Sequence, residues 1–407
     1  MSVDWMRRID RWAGVPICFV LTLVRRFASL FKPSPDRSAA PRHVLFVELP
    51  EMGSLVLACP AIRRLQADHP GARVSILVFA RNRESAEVLD LTRGGEVLTI
   101  DPSSMYTLAR DTVRLIGAAR RLGIDTTINL EMFARFSTIL CFLSGARTRV
   151  GFAPFGHPGL YAGDLLTHRV IYNPHLHTSQ AFLALVAALG KSTSDLPMGK
   201  FPTPDLPTVA MLPSSDARRA ALLDRLAREN PKVAGKRLIV INPNASELIT
   251  VRKWPLENYA QLTDRLLEDP GYACVITGVQ SERPDAQFIR ARVKSDRLVD
   301  FTGKTTIREL LDLFNVSDVL VTNDSGPAQY AALTSTHVVV FFGPETPALY
   351  KPLTDRCTVL YSRYACSPCV SAFNQRRTDC TDNACLKVLQ VDAVYKTIRE
   401  ILAARAV

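Results

Sequence analysis

The sequence is short of several things, and each shortage excludes something. Its apolar N-terminal run, Ala13 to Val24 (AGVPICFVLTLV), stops well below the roughly 20 residues that a bilayer-spanning helix needs, which argues against a transmembrane anchor. No small-residue cleavage site follows that run, and Arg25-Arg26 close it instead, which argues against a secretory signal. Aromatic and basic residues are not interleaved and no RNA- or DNA-binding signature occurs, so nucleic acid is not the expected partner. No short-period repeat is present. Acidic residues are outnumbered, 39 against 50 Lys and Arg, for a net charge of +11 and a pI near 9.3. That imbalance points to an anionic partner, such as a phosphorylated ligand or an anionic membrane.

What the N-terminus does contain is a pattern. Arg7, Arg8 and Arg11 precede the apolar run, Arg25 and Arg26 follow it, and Trp5 and Trp12 stand where a membrane interface favours indole rings. The pattern predicts an interfacial helix on an anionic cytoplasmic leaflet, with a buried docking helix as the alternative. Lys32 to Arg42, KPSPDRSAAPR, reads as a linker.

At 407 residues and 47% hydrophobic, the chain is too large for one ordinary core, so two domains are expected. From His43 short β-rich runs (HVLFVEL, RVSILVF, TTINL) alternate with helical patterns, and a second series follows in RLIVINP, ACVITG, DVLVTND and HVVVFFG. Alternation of this kind implies parallel sheets with helices on both faces. Prolines crowd Lys191 to Pro213, which places the boundary there. The expected division is a membrane-associating segment and linker over 1–40, one Rossmann-like domain over 41–205 and a second over 206–407. Two doubly wound halves leave a cleft toward which strand ends can face.

Asp318 to Pro347 reads as strand, tight turn, short helix, strand. Asn323-Asp324-Ser325-Gly326-Pro327 punctuates it, with Ser325 suited to an N-cap and Pro327 to the first helical turn. A helix opening there presents unpaired N–H groups to an anion such as a diphosphate.

INPNASELITVRKWPLENYAQL, VITGVQSE, DFTGKTTIRELLDLF, VTNDSGPAQYAAL and FFGPETP occur in order across the second half. Through them the chain resembles glycosyltransferase family 9, the heptosyltransferases of lipopolysaccharide core assembly. ELPEMGSLVLACPAIRRL and INLEMFARFSTILCFLSGARTRVGF extend the likeness more loosely to the first half. The resemblance implies a GT-B fold of two Rossmann-like domains facing a cleft and an ADP-heptose donor held by the second domain. It also implies an anionic glycolipid acceptor, cytoplasmic action on the inner face of the inner membrane, and metal-independent transfer with inversion. Carried over by position, Arg252 stands where the family places a phosphate-binding Lys, Glu282 on the adenosine ribose and Thr305 at the adenine pocket. Asp324, Ser325 and Gly326 fall on the diphosphate and sugar turn, Gln329 replaces a frequent His, and Lys304 is a further cation for the departing diphosphate.

The sequence departs from the family at the catalytic base. Gly53-Ser54 stands where many members read Gly-Asp, and serine accepts no proton unaided at neutral pH. Glu51 in the same loop and Glu131 after TTINL are the replacement candidates, because the first and fourth strands of a doubly wound sheet are neighbours. Cys366, Cys369, Cys380 and Cys385 have spacing that suits a tetrahedral structural metal site, with four unlinked thiols as the alternative, and the resemblance implies zinc or iron, since some family members share such a finger. Catalysis itself calls for no cofactor. The expected function is heptose transfer to a lipopolysaccharide core or related glycolipid. A protein O-heptosyltransferase and an inactive nucleotide-sugar binder are the alternatives, the last because of Ser54.

Overall fold

The computed structural model describes residues 3–31, 40–154, 158–193, 196, 202–245 and 249–405. Most of the linker read at Lys32 to Arg42, and part of the proline-rich boundary stretch, lie outside them. The chain divides into two compact units, Met1–Pro207 and Thr208–Val407.

The first unit opens with α1 (Val3–Trp12) and α2 (Gly14–Phe31). The series β1 (His43–Val47), α3 (Met52–Asp68), β2 (Arg73–Phe79), α4 (Arg83–Val88), β3 (Gly94–Ile100), α5 (Met105–Leu122) and β4 (Thr126–Asn129) follows. It closes with α6 (Arg135–Leu143), β5 (Thr148–Ala153), β6 (His168–Ile171) and α7 (Thr178–Ala187). All pairings are parallel, in the order β3-β2-β1-β4-β5-β6. Every residue of β1 is buried, as expected of a strand covered on both faces.

The second unit repeats the plan. It contains α8 (Asp216–Glu229), β7 (Arg237–Asn242), α9 (Leu256–Leu266), β8 (Tyr272–Ile276), α10 (Arg283–Arg290), β9 (Leu298–Asp300) and α11 (Ile307–Asn315). Then come β10 (Val319–Asn323), α12 (Gly326–Ala331), β11 (His337–Phe342), α13 (Pro347–Tyr350), β12 (Cys357–Tyr361), α14 (Ala384–Lys387) and α15 (Val391–Ala404). The order β12-β11-β10-β7-β8-β9 again puts the first strand beside the fourth. Trp254, wholly buried, packs its ring against Tyr259 and Phe341 at centroid distances of 5.0 and 4.7 Å and anchors this core.

The N-terminal helix is longer than the apolar run predicted. Hydrogen bonds from Ala13 to Ile9 and from Ile17 to Ala13 carry α1 into α2, so Trp5–Phe31 forms 27 helical residues, long and apolar enough to cross a membrane by length and composition. The difference arises after Arg25-Arg26, where Phe27, Leu30 and Phe31 resume the apolar stripe one helical turn on.

One side of this helix is docked. Gly14, Cys18 and Thr22 are buried at four-residue spacing, and Cys18 packs with Ile139 of α6 and Leu165. Asp10 accepts from the Phe136 N–H at 2.8 Å and pairs at 3.3 Å with Arg135, which is 1% exposed. Arg25 pairs with Asp164, whose N–H donates to Thr22 Oγ1. Gly163 makes the close approach possible: its φ is +71°, and a Cβ there would meet Thr22 Oγ1 at 2.6 Å. Removing Asp10 from Arg135 would leave a buried charge uncompensated, at a cost of about 3–5 kcal/mol, so the docked face is strongly held. The opposite face is exposed and mostly apolar, with Phe19, Val20, Leu23, Val24, Phe27 and Phe31.

Candidate functional site

In each unit the loops after the first and fourth strands meet where the winding reverses, the position at which open parallel sheets take ligands. In the second unit Asn323, the last residue of β10, ties these loops together. Its Nδ2 donates to the carbonyls of Pro243 at 2.8 Å and Asn244 at 3.1 Å, and its Oδ1 accepts from the Trp254 N–H at 2.8 Å. With Trp254 locked in the core, the preceding residues are laid over the β10 turn. Arg252 Nη1 thereby reaches Asp324 Oδ2 at 3.4 Å, both residues about 5% exposed.

Ser325 occupies the N-cap position of α12 but makes no side-chain cap, contrary to its sequence reading. Its hydroxyl donates backward to the Asn323 carbonyl at 3.1 Å. Gly326 opens a helix of only six residues. Gln329 is buried, with Nε2 donating to the Tyr350 carbonyl at 2.7 Å. After β8, Glu282 Oε2 accepts from the Val279 N–H at 2.8 Å. Gly278 beside it admits no side chain, since a Cβ would meet Asn244 Nδ2 at 2.6 Å and Glu282 Oε2 at 2.8 Å. Thr305 is half-buried just before α11, whereas Lys304 Nζ pairs with Glu229 of α8 at 3.1 Å. The structure thus brings Arg252, Asp324, Ser325 and Gly326 to one turn, and Glu282 to the neighbouring loop beside Asn244.

Five buried polar atoms near this turn have no hydrogen-bond partner among the described residues: Asn242 Oδ1, Asn244 Oδ1, Thr302 Oγ1, Gln329 Oε1 and Glu345 Oε2. Buried polar atoms are normally paired; here Asn242 ends β7, Asn244, Thr302 and Glu345 follow β7, β9 and β11, and Gln329 lies in α12. Glu345, which follows β11, was not read as a site residue. It is 1% exposed, its Oε1 accepts from Arg376 Nε at 3.0 Å, and burial pushes its carboxyl up to about 7. Arg376 and Arg252 oppose that shift and Asp324 adds to it. Only the FFGPETP run in which it sits pointed to this loop.

In the first unit Glu131 Oε1 accepts from the Leu49 N–H at 2.7 Å, in the same β1–α3 loop that holds Glu51. The Glu131 N–H donates to Asn129 Oδ1 at 3.2 Å. Glu51 is the half-buried residue before α3, and Ser54 lies in that helix's first turn. Glu48, 5% exposed three residues before Glu51, was also missed; it ends the apolar run of β1 and was read as part of the strand.

The expected metal site is not assembled. Among the described residues no three His, Cys, Asp or Glu side chains converge to hold an ion. Cys380 Sγ donates to the Asp382 carbonyl at 3.0 Å, Cys369 Sγ accepts from Thr378 Oγ1 at 3.4 Å, Cys366 is exposed and Cys385 packs into the core. The four share a neighbourhood without a coordination geometry. Burial, and then the other three thiols, push Cys385 up to about 11. The segment is pinned instead by hydrogen bonds from the Cys369 and Val370 N–H groups to the Pro344 carbonyl and by the Arg376–Glu345 pair.

Two parallel six-stranded α/β units of this topology make up a GT-B glycosyltransferase fold. The sequence profile of glycosyltransferase family 9 (heptosyltransferase) matches residues 116–378, and the chain belongs to that family. It is 29% identical over 147 residues to lipooligosaccharide heptosyltransferase 2 of Haemophilus influenzae, covering 35% of this chain and 42% of that protein. It is 29% identical over 126 residues to lipopolysaccharide heptosyltransferase 2 of Salmonella typhimurium, covering 30% and 36% respectively. The chain thus spans about two-fifths of the length of these curated relatives. Among solved structures, the Escherichia coli ADP-heptose lipopolysaccharide heptosyltransferase II superposes with a TM-score of 0.69 at 18% identity, over 90% of this chain and all of that one. A family 9 glycosyltransferase of Veillonella parvula gives 0.69 at 17%, over 91% of this chain and all of that one. At such identities the likeness is one of fold.

Proposed function

We propose that the chain is an inverting glycosyltransferase that moves heptose from ADP-heptose to a lipopolysaccharide core or related anionic glycolipid at the cytoplasmic face of the inner membrane. The observation that carries this reading is the turn where buried Arg252 meets Asp324 near five buried polar atoms that have no partner among the described residues, in a family 9 chain. Arg252 offers a planar, permanently charged fork to the diphosphate, and Glu282 an acceptor for ribose hydroxyls. Ser325, Gly326 and Gln329 face the same role on the sugar side, and Thr305 on the adenine side. Lys304 serves as an outlying cation, engaged with Glu229 until ligand arrives.

The chemistry is one displacement. A carboxylate of the first unit, Glu131 or Glu51, takes the acceptor hydroxyl proton as that oxygen bonds to the anomeric carbon. The bond from that carbon to the diphosphate breaks, and ADP departs with the electron pair, stabilised by Arg252. The exposed apolar face of α2, flanked by Arg8, Arg11 and Arg26, would rest in an anionic bilayer surface. Its docked face favours lying along the membrane over crossing it, because crossing would strip Arg135 from Asp10.

Ser54 supports a second reading, a nucleotide-sugar binding protein without turnover. Incubating the full chain with labelled ADP-heptose and either heptose-deficient lipopolysaccharide or protein acceptors separates the two. Label in the glycolipid supports the proposal, label in protein redirects the acceptor, and binding without transfer or hydrolysis supports the second reading.

A further inference from the structure

Buried charges of both signs meet at the β10 turn. Glu345 is faced by Arg376 from the segment after β12, by Asp324 from the turn and by Arg252 from the residues before Trp254. Arg376 is delivered to these groups with left-handed backbone, φ +55°, directly after Gln375, also at +55°. Side-chain-bearing residues hold that conformation in succession only where their surroundings enforce it, and such spots cluster at functional sites. Arg376 also lies over the Tyr350 ring at 5.1 Å, and the Tyr350 carbonyl holds Gln329 of α12. Residues 345, 376, 350 and 329 therefore form one packed connection behind the turn.

A sugar diphosphate bound at this turn adds two fixed negative charges close to the buried Glu345 carboxyl. We propose that Glu345 is a working part of the donor site, taking up a proton from solvent as the diphosphate binds beside Arg252, so that the buried turn does not carry the ligand's full charge. The inference rests on the reading of Arg252 and Asp324 as donor-binding residues. Asp324 is paired with Arg252 at 3.4 Å, whereas Glu345 has a second oxygen, Oε2, with no partner among the described residues to lose on protonation. Burial already places its carboxyl near neutrality, and an added anion moves it in the same direction.

The test is calorimetric titration of ADP-heptose into the full-length protein at pH 7.5, in buffers of different ionisation enthalpy. Both phosphates of this ligand are esterified, so proton exchange near neutrality reports the protein. The wild type should take up about half to three-quarters of a proton per ligand, and its affinity should weaken by up to about tenfold per pH unit above pH 7. Glu345→Gln, nearly isosteric, should bind without uptake and without that pH dependence. Arg376→Gln removes the cation that favours ionisation, so the midpoint of uptake should move to higher pH. Wild-type binding without proton exchange, uptake retained in Glu345→Gln, or an unmoved midpoint in Arg376→Gln overturns the proposal while leaving the donor site standing. No wild-type binding of ADP-heptose overturns the donor-site reading and this inference with it.

Discussion

Arg252→Ala separates what Arg252 does for the fold from what it does for a ligand. Its guanidinium and Asp324 are both about 5% exposed and 3.4 Å apart, so truncation leaves a buried carboxylate without its cation. Breaking a buried pair from one side costs about 3–5 kcal/mol, and in a unit this size each kcal/mol moves the midpoint by about 2–4 °C. The expected fall in Tm is about 6–20 °C. Removing the stranded charge as well, in Arg252→Ala/Asp324→Asn, should restore most of that loss. Donor binding should behave differently, because charged hydrogen bonds to a diphosphate are worth about 1.5–3 kcal/mol, or roughly 10- to 150-fold in affinity. That loss should persist in the double variant. Differential scanning calorimetry and ADP-heptose titration on the same samples check both. If Arg252→Ala binds ADP-heptose as tightly as wild type, or the double variant recovers affinity with stability, Arg252 is a structural residue and the donor site lies elsewhere.

Three further outcomes are expected. Glu131→Gln or Glu51→Gln, whichever removes the base, should lower turnover by about 10²–10⁴ with donor affinity little changed and the acidic limb of the pH–rate profile lost; full activity in both rejects both. Val20→Asp/Phe27→Asp alters only the exposed face of α2, so it should abolish co-sedimentation with anionic vesicles at unchanged Tm, and undiminished sedimentation would discard the membrane seat. Finally, the Glu345 carboxyl is raised from 4.5 to about 7, so the native state binds this proton more tightly than the unfolded state does. Its contribution of up to about 3 kcal/mol is present below pH 4.5 and lost as pH rises through 7. Tm curves from pH 5 to 8 should be flatter for Glu345→Gln, and parallel curves would refute the assignment.

The strands buried on both faces were legible as apolar runs because their composition reflects total burial. RVSILVF is β2 residue for residue, and VLVTN and HVVVFF are β10 and β11. Edge strands were not so legible, because half-covered segments such as GGEVLTI of β3 and CTVLY of β12 lack that signature. Motif order likewise identified the turn at Asp324, since close backbone approach demands particular residues locally. Pairing across long separations decided the rest. Cysteine spacing permitted a metal site, but spacing says nothing of where thiols point, and Cys385 went into the core while Cys366 stayed exposed. Arg25 interrupts the apolar run in sequence yet faces inward to Asp164, 139 residues away, so the helix continues beneath an outer face that stays apolar. Glu345 reads as an ordinary loop carboxylate among turn residues. Only the fold buries it with Arg376, Asp324 and Arg252, because desolvation is a property of what surrounds a group in space and not of its neighbours along the chain.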